Sequence, residues 1–347
     1  MKHNDVDIIH IATKECAKQS RVHAQLTYKK NSIFFSKSRL SIISFRLIFS
    51  LIKNDRVTLV FHQHWMLPLL ISTYLISKFF NLKNLKFVYD IHDIFELNEN
   101  SAWWRPIAVK IYNPLEAIAF RLKITFITVS QGLSNHYSKI FGRVPLVVHS
   151  IPQFSRDDIP TGRVLGDPLR IVYFGQIKEE RMPVEALKYL VEKNCCCDLY
   201  GYFSKNSSSD WQNQILNLVR KSGGQYHGRY SPDNLNFLKC YDFSLMIFPS
   251  DRVNIRCCLP NKLFQSLLAG VPCIISDNLF EVRSLFGETG YTVTLDQFGE
   301  NHHLEKRINL TQRLLEIKDQ SVENFDLAVS GEYFNGTAQR DRNLKLP

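Results

Sequence analysis

The chain is 347 residues long, 45% hydrophobic and 22% charged, with a formal net charge of +10. This length and apolar content suit two domains with separate cores, and no internal repeat or low-complexity tract is present. The longest apolar run, residues 66–80, is broken by Pro68 and Lys78, and the first seven residues are polar and charged, so neither a membrane-spanning helix nor a signal peptide is expected.

The charge is uneven. Residues 1–155 hold 20 of the 43 basic side chains but only 9 of the 33 acidic ones, so they carry +11 and the rest of the chain −1. A basic half implies an anionic neighbour: membrane lipid, a diphosphate-linked acceptor or nucleic acid. Lys37, Arg39, Arg46 and Lys53 flank an apolar stretch at 42–52, which suits an amphipathic helix on an anionic membrane surface. The eight cysteines include Cys195-Cys196-Cys197 and Cys257-Cys258. Neither group has metal-ligand spacing or suits a disulfide framework, so buried, reduced thiols in the cytoplasm are expected.

In chain order, strands are expected at 6–11, 57–61, 86–90, 124–129 and 146–149, with helices such as 67–80 and 106–121 between them. Short apolar strands alternating with helices indicate a parallel sheet covered on both faces. The reactive positions of such a sheet lie beyond the carboxyl ends of its strands. His62-Gln63-His64 and Tyr89-Asp90-Ile91-His92-Asp93 fall there. His62 and His64 alternate on a strand and so share a face, but two ligands without a third do not make a metal site. Ser130, in Thr128-Val129-Ser130-Gln131-Gly132-Leu133, is placed to cap the helix that follows.

Residues 151–168 hold three prolines and two glycines and suit an interdomain linker. The pattern then restarts, with strands expected at 169–174, 196–200, 225–227, 243–248, 273–276 and 291–293. Val172-Tyr173-Phe174-Gly175-Gln176 ends one of them, and Lys178-Glu179-Glu180-Arg181 follows. Gly175 permits close approach of a ligand to the backbone. Leu259-Pro260-Asn261-Lys262-Leu263-Phe264-Gln265 turns from extended chain into a helix, and Gly270 and Pro272 end it before Cys273-Ile274-Ile275. Asn261 and Lys262 therefore occupy a helix N-terminus, where free N–H groups and a partial positive charge suit a diphosphate. P-loop, nucleophile-elbow and dinucleotide-binding glycine motifs are all absent from the sequence. After about Leu327 the tail is only weakly patterned.

The stretch from Pro260 to Ile275 resembles the donor-site helix of family 4 retaining glycosyltransferases of the bacterial surface-polysaccharide type. The ordered set Ser20-Arg21-Val22, His62-Gln63-His64 with Leu67-Pro68, Tyr89-Asp90-Ile91-His92-Asp93 and Thr128–Leu133 resembles the same family, at about its spacing. The resemblance spans roughly residues 6–295. It departs from the family in five places. Gln265 stands where the family has a glutamate, Cys257 where it often has an acid, Gln176 where it usually has an arginine and Asp93 where it has a glutamate, and the stretch 13–19 lacks the glycines of its first loop.

The resemblance implies an α/β, GT-B architecture: two doubly wound Rossmann-like domains facing across a cleft, divided here into residues 1–155, acceptor- and membrane-facing, and 156–347, nucleotide-sugar-binding. It implies transfer of a sugar, with retention, from a nucleotide-sugar donor to a lipid-linked or polysaccharide acceptor, on the inner face of the cell membrane. His92, Arg181 and Lys262 would be catalytic; Gly175, Lys178, Asn261 and Gln265 would bind donor; Arg21, His64, Asp90 and Asp93 would lie on the acceptor side. The two cations would stabilise the leaving diphosphate, so neither metal nor cofactor is expected, and nucleic acid is not an expected partner. The missing acids and first-loop glycines motivate one alternative, a weak or inactive partner subunit of a transferase complex; a nucleotide-sugar 2-epimerase, which shares GT-B architecture, is another.

Overall fold

The computed structural model describes residues 7–13, 32–35, 57–94, 105–152, 154–155, 159–160, 166–231, 234–298 and 310–330. Two compact units divide the chain: residues 1–150 with 318–347, and residues 151–317.

Unit 1 is built on a six-stranded sheet. Its strands are β1 (Asp7–Thr13), β2 (Ser32–Phe35), β3 (Val57–His62), β4 (Leu85–Ile91), β5 (Thr125–Thr128) and β6 (Leu146–Val147). They run in the order β2-β1-β3-β4-β5-β6, all parallel. Every residue of β3 is buried, as a parallel strand covered on both faces requires. Helices α1 (Leu67–Phe79), α2 (Arg105–Arg121) and α3 (Gln131–Phe141) link the later strands. Ser130 caps α3: its hydroxyl accepts from the Leu133 N–H at 3.2 Å. The strand order reverses between β1 and β3, a switch point that opens a crevice at the carboxyl ends of the strands.

Unit 2 has strands β7 (Arg170–Ile177), β8 (Cys196–Phe203), β9 (Tyr226–Gly228), β10 (Phe243–Met246), β11 (Cys273–Ile275) and β12 (Thr292–Thr294). Its order, β12-β11-β10-β7-β8-β9, is the Rossmann order, with the switch point between β7 and β10. Its helices include α4 (Val184–Glu192), α5 (Ser209–Lys221), α6 (Asn261–Leu268) and α7 (Phe280–Phe286). Leu263, Phe264 and Leu267 of α6 are fully buried, each contributing roughly 1.5–3 kcal/mol. That anchors the helix and fixes the position of its first turn.

The division differs from the sequence expectation of a break after residue 155 with everything beyond it in the second domain. Ile151, Phe154 and Ile159 are not linker residues but part of the core around Leu263 and Phe264. The last helix, α8 (Leu310–Ser330), contributes Leu310, Leu314 and Ile317 to that core. Its later turns belong to unit 1, where Phe325, Ala328 and Val329 pack on Val60, Val88 and Ile127. There the Thr58 hydroxyl donates to the Val329 carbonyl at 3.2 Å, and the Asn324 amide to the Val147 carbonyl at 2.7 Å.

The cysteine expectation also needs correction. Among the described residues the cysteines are all free thiols, but only Cys195, Cys197 and Cys273 are buried; Cys240 is exposed and Cys196, Cys257 and Cys258 lie between. No described helix is long and apolar enough to cross a membrane.

One buried acid links the sheet of unit 1 to its helices. Glu116 of α2 accepts from the Tyr89 and Tyr137 hydroxyls at 3.3 and 3.2 Å. Burial raises its pKa to about 7, against the opposing pull of those two hydrogen bonds. A carboxyl that keeps its proton longer in the folded state stabilises the fold at low pH, and loses that stabilisation as pH rises through the folded value. Thermal melts from about pH 5 to about pH 8 should therefore show falling stability, by at most about 1.4 kcal/mol per pH unit from this group. Glu116→Gln should flatten that dependence.

Candidate active site

The carboxyl edge of the unit 2 sheet gathers positive charge at its switch point. α6 begins at Asn261, with Pro260 in extended conformation before it and no side-chain cap on its N-terminal N–H groups. Asn261 is exposed, and Lys262, the second helical residue, is part-buried. The Lys262 ammonium lies 3.9 Å from the centroid of the Tyr173 ring and 5.7 Å from that of Phe174, a cation–π seat. Burial strips water from this ammonium and the Arg181 guanidinium repels it, so its pKa falls well below the ordinary lysine value. Arg181, in the single turn Glu179–Arg181 after β7, lies 5.9 Å from the Phe248 ring beyond β10.

Gly175 makes room for this lysine. Its φ is +116°, and a Cβ there would sit 2.6 Å from Lys262 Cε and 3.0 Å from Nζ. Gly175 pairs with Gly201 on β8, where a Cβ would collide with the Gly175 carbonyl. Two facing glycines thus let the strand ends close up beneath the ammonium. Tyr173 is held from below, its hydroxyl donating to the Gln176 carbonyl at 2.6 Å.

Of the expected donor residues, the structure brings Gly175, Arg181 and Lys262 together. Gln265 lies one turn along α6 from Lys262 and is part-buried. Lys178 pairs with Glu180, Nζ to Oε2 at 4.0 Å. Tyr173 and Phe248 are not among the site residues expected from sequence. The strand-end run Tyr173-Phe174-Gly175 was the available signal for the first, while Phe248 joins only through the β7–β10 pairing.

Unit 1 places a second polar cluster at the ends of β3 and β4, which pair with His62 opposite Asp90. Asp90 Oδ2 lies 2.6 Å from His62 Nδ1 and 2.8 Å from His92 Nε2. His62 and Asp90 are buried, while the His92 side chain is 13% exposed. An ionised carboxylate only accepts, so both facing ring nitrogens carry the protons. Burial opposes the Asp90 charge, but the charge of His92 and hydrogen bonds from both imidazoles outweigh it and hold the carboxyl well below its usual range. Burial likewise opposes a charged His92; Asp90, with a smaller contribution from Asp93, outweighs it and raises the imidazole above the ordinary histidine value.

The backbone between the two histidines is strained. Gln63 has φ +67° and ψ 158°, outside the regions a side-chain-bearing residue normally adopts, and its N–H donates to the Asp90 carbonyl at 3.0 Å. Such a conformation costs about 1–3 kcal/mol and is kept where the surroundings enforce it. It turns the chain between His62 and His64. His64 packs beside Trp65 and Tyr112, with ring centroids 5.1 and 5.9 Å away, and it is His62 that bonds Asp90. His62 is not among the site residues expected from sequence; its cross-strand pairing with Asp90 is the feature that brings it in. The His62, Asp90 and His92 donor atoms all lie within 4.8 Å of one another, and their type suits a zinc-like ion; the present separations are hydrogen-bond lengths. Arg21 and the basic stretch 37–53 lie outside the described residues.

The sequence matches no protein-family model and no curated protein. The fold does have solved counterparts. The lipopolysaccharide outer core galactosyltransferase WaaB superposes with a TM-score of 0.59 at 15% identity, over 94% of this chain and 99% of that one. Sucrose-phosphate synthase from Thermosynechococcus elongatus gives 0.61 at 9% identity, over 95% and 100%. The pneumococcal O-GlcNAc transferase GtfA, solved with UDP and GlcNAc, gives 0.55 at 16% identity; 86% of this chain matches 60% of GtfA's length. The fold is therefore GT-B, the two-sheet α/β architecture of these glycosyltransferases.

The Asp90 cluster has a direct test that needs no substrate. Asp90→Asn removes the charge that raises the His92 pKa while keeping the shape. The His92 titration followed by NMR should then move to lower pH. An unmoved titration would show that Asp90 does not control His92.

Proposed function

We propose that the protein is a retaining glycosyltransferase that moves a sugar from a nucleotide-sugar donor to a lipid-linked surface-glycan acceptor. The supporting observation is the pairing of Lys262 with Arg181. Burial strips water from Lys262, the part-buried Arg181 repels it, and no carboxylate of the described residues is among the causes of its depressed pKa. A dianionic diphosphate at the N-terminus of α6 would relieve that repulsion and accept the helix's free N–H groups.

In this reading Lys262 and Arg181 stabilise the charge that grows on the β-phosphate as the glycosidic bond breaks. Gly175, Lys178 and Asn261 line the diphosphate, and Gln265 bonds ribose or sugar hydroxyls. His92, whose imidazole Asp90 raises above the ordinary histidine value, serves the donor sugar, while Arg21, His64, Asp90 and Asp93 serve the acceptor side. The leaving phosphate takes the acceptor's proton, so no protein base is required, and the two cations replace a metal. The enzyme works in the cytoplasm, peripherally on the anionic inner face of the cell membrane.

Donor binding and turnover test this reading. A thermal-shift panel of UDP, GDP, ADP and CMP sugars should show one stabilising donor, hydrolysed slowly without acceptor and unaffected by a chelator. Lys262→Ala and Arg181→Ala should each lower kcat/KM about 10²-fold or more. Near-normal turnover in a folded Lys262→Ala protein would sink the assignment. Gln265 and Cys257, where the resembled family carries acids, favour a second reading: a subunit that binds donor without transferring it. Donor binding with neither hydrolysis nor transfer would establish that one, and interconversion of donor epimers would identify a 2-epimerase.

A separate measurement concerns Gln265. A carboxylate accepts stronger hydrogen bonds from hydroxyls than an amide does. Gln265→Glu should tighten donor binding by roughly 1–2 kcal/mol, and Gln265→Ala should weaken it, both read by calorimetry. Equal affinity in all three proteins would put Gln265 outside the site.

A further inference from the structure

One face of unit 1, formed by α1, α2 and the turns that follow them, combines exposed apolar side chains with basic ones and shows no exposed acid among the described residues of those segments. α1 and α2 pack side by side, Trp65 edge-on to Tyr112 at 5.0 Å and the Lys123 N–H donating to the Tyr74 hydroxyl at 3.3 Å. Leu75, Phe79 and Phe80, at the end of α1, are 57%, 84% and 57% exposed. On α2, Ile107, Ile111 and Ile118 are 54%, 52% and 42% exposed. With exposed Pro114 their spacing is four, three and four, which aligns them along one side of the helix.

The charges complete the pattern. Lys78, Lys83, Lys110, Arg121 and Lys123 are all exposed on these helices and the turns that follow them. The two helices, with loops 80–84 and 122–124, contain a single acid, Glu116, and it is buried beneath Tyr89 and Tyr137. An ordinary solvated surface mixes both signs of charge and scatters its apolar residues singly. An apolar stripe bordered only by bases is the composition of a surface that enters the interface of an anionic bilayer.

We infer that the α1–α2 face docks unit 1 on an anionic lipid surface. Phe79, Phe80, Leu75 and the isoleucines enter the headgroup–acyl boundary, and the lysines and Arg121 keep their charges at the headgroups. A second copy of the chain fits less well, because a two-fold contact through this face would set five bases against five bases. The inference rests on the proposed lipid-linked acceptor but concerns a surface that takes no part in donor binding.

Co-sedimentation of the full chain with vesicles tests it, using phosphatidylcholine alone and phosphatidylcholine mixed with phosphatidylglycerol. The protein should sediment with the mixed vesicles, not with the neutral ones, and should be released by high salt. Lys78→Glu with Lys110→Glu and Arg121→Glu, and separately Phe79→Ser with Ile111→Ser, should each lower partitioning ten-fold or more. Each base near such a surface contributes about five-fold. Thermal melting and donor affinity should stay unchanged in both variants, since every altered side chain is exposed. Variants that bind vesicles like the parent would overturn the assignment of this face while leaving membrane attachment standing. A parent that ignores anionic vesicles yet binds donor would overturn the docking proposal and leave the donor site intact. A dimer broken by Ile111→Ser would give the face to a second copy and likewise overturn it.

Discussion

Two positive charges forced together at the end of one sheet organise unit 2. Lys262 and Arg181 repel each other, and Lys262 is further penalised by loss of water. Such an arrangement persists only if the surrounding structure over-determines it. Leu263, Phe264 and Leu267 lock α6 into the core, so its second residue has little freedom to retreat. The Tyr173 ring supplies a polarised face for the ammonium, worth about 2 kcal/mol when desolvated. Gly175 and Gly201 supply the space. Core burial elsewhere thus maintains a local electrostatic penalty, which on the proposed reading a bound diphosphate would remove.

Unit 1 uses the opposite arithmetic. There one carboxylate, Asp90, is shared by two imidazoles, His62 and His92. The buried charge is stabilised by two hydrogen bonds and in turn fixes which nitrogen of each ring faces inward. Only His92 retains some exposure, so the proton held on the cluster is available to solvent or ligand at that ring alone. The strained Gln63 backbone belongs to the same construction, since its N–H is bound by the Asp90 carbonyl while the Asp90 side chain binds the preceding histidine.

Much of this was legible in the sequence because it depends on local chemistry. The alternation of apolar strands and helices indicates two parallel sheets, Ser130 caps its helix, and Pro260 sets the start of α6 where Asn261 and Lys262 then stand. What escaped depends on contacts between distant segments. The His62–Asp90 bond follows from the register of β3 against β4, which no residue of either strand encodes alone. The edge strand β2 has only four residues, Ser32–Phe35, too few to show a period. α8 was illegible for a different reason: its early turns bury Leu310 and Leu314 in one core, its late turns bury Phe325 and Val329 in another, and two successive faces blur any single helical periodicity. The same helix moved the domain division, because Phe325, Ala328 and Val329 pack on the first sheet rather than the second.

The uncompensated charge also bears on Gln265. In the resembled family an acid stands at this position, one helical turn from the lysine. A carboxylate there would serve two ends, accepting from donor hydroxyls and partly neutralising Lys262. An amide can still accept and donate hydrogen bonds, but it brings no charge to offset the repulsion between Lys262 and Arg181. The balance of the site therefore moves from the sugar and ribose toward the diphosphate. On the proposed reading this makes the nucleoside diphosphate itself a strong ligand, and product release becomes the step that Gln265 influences most.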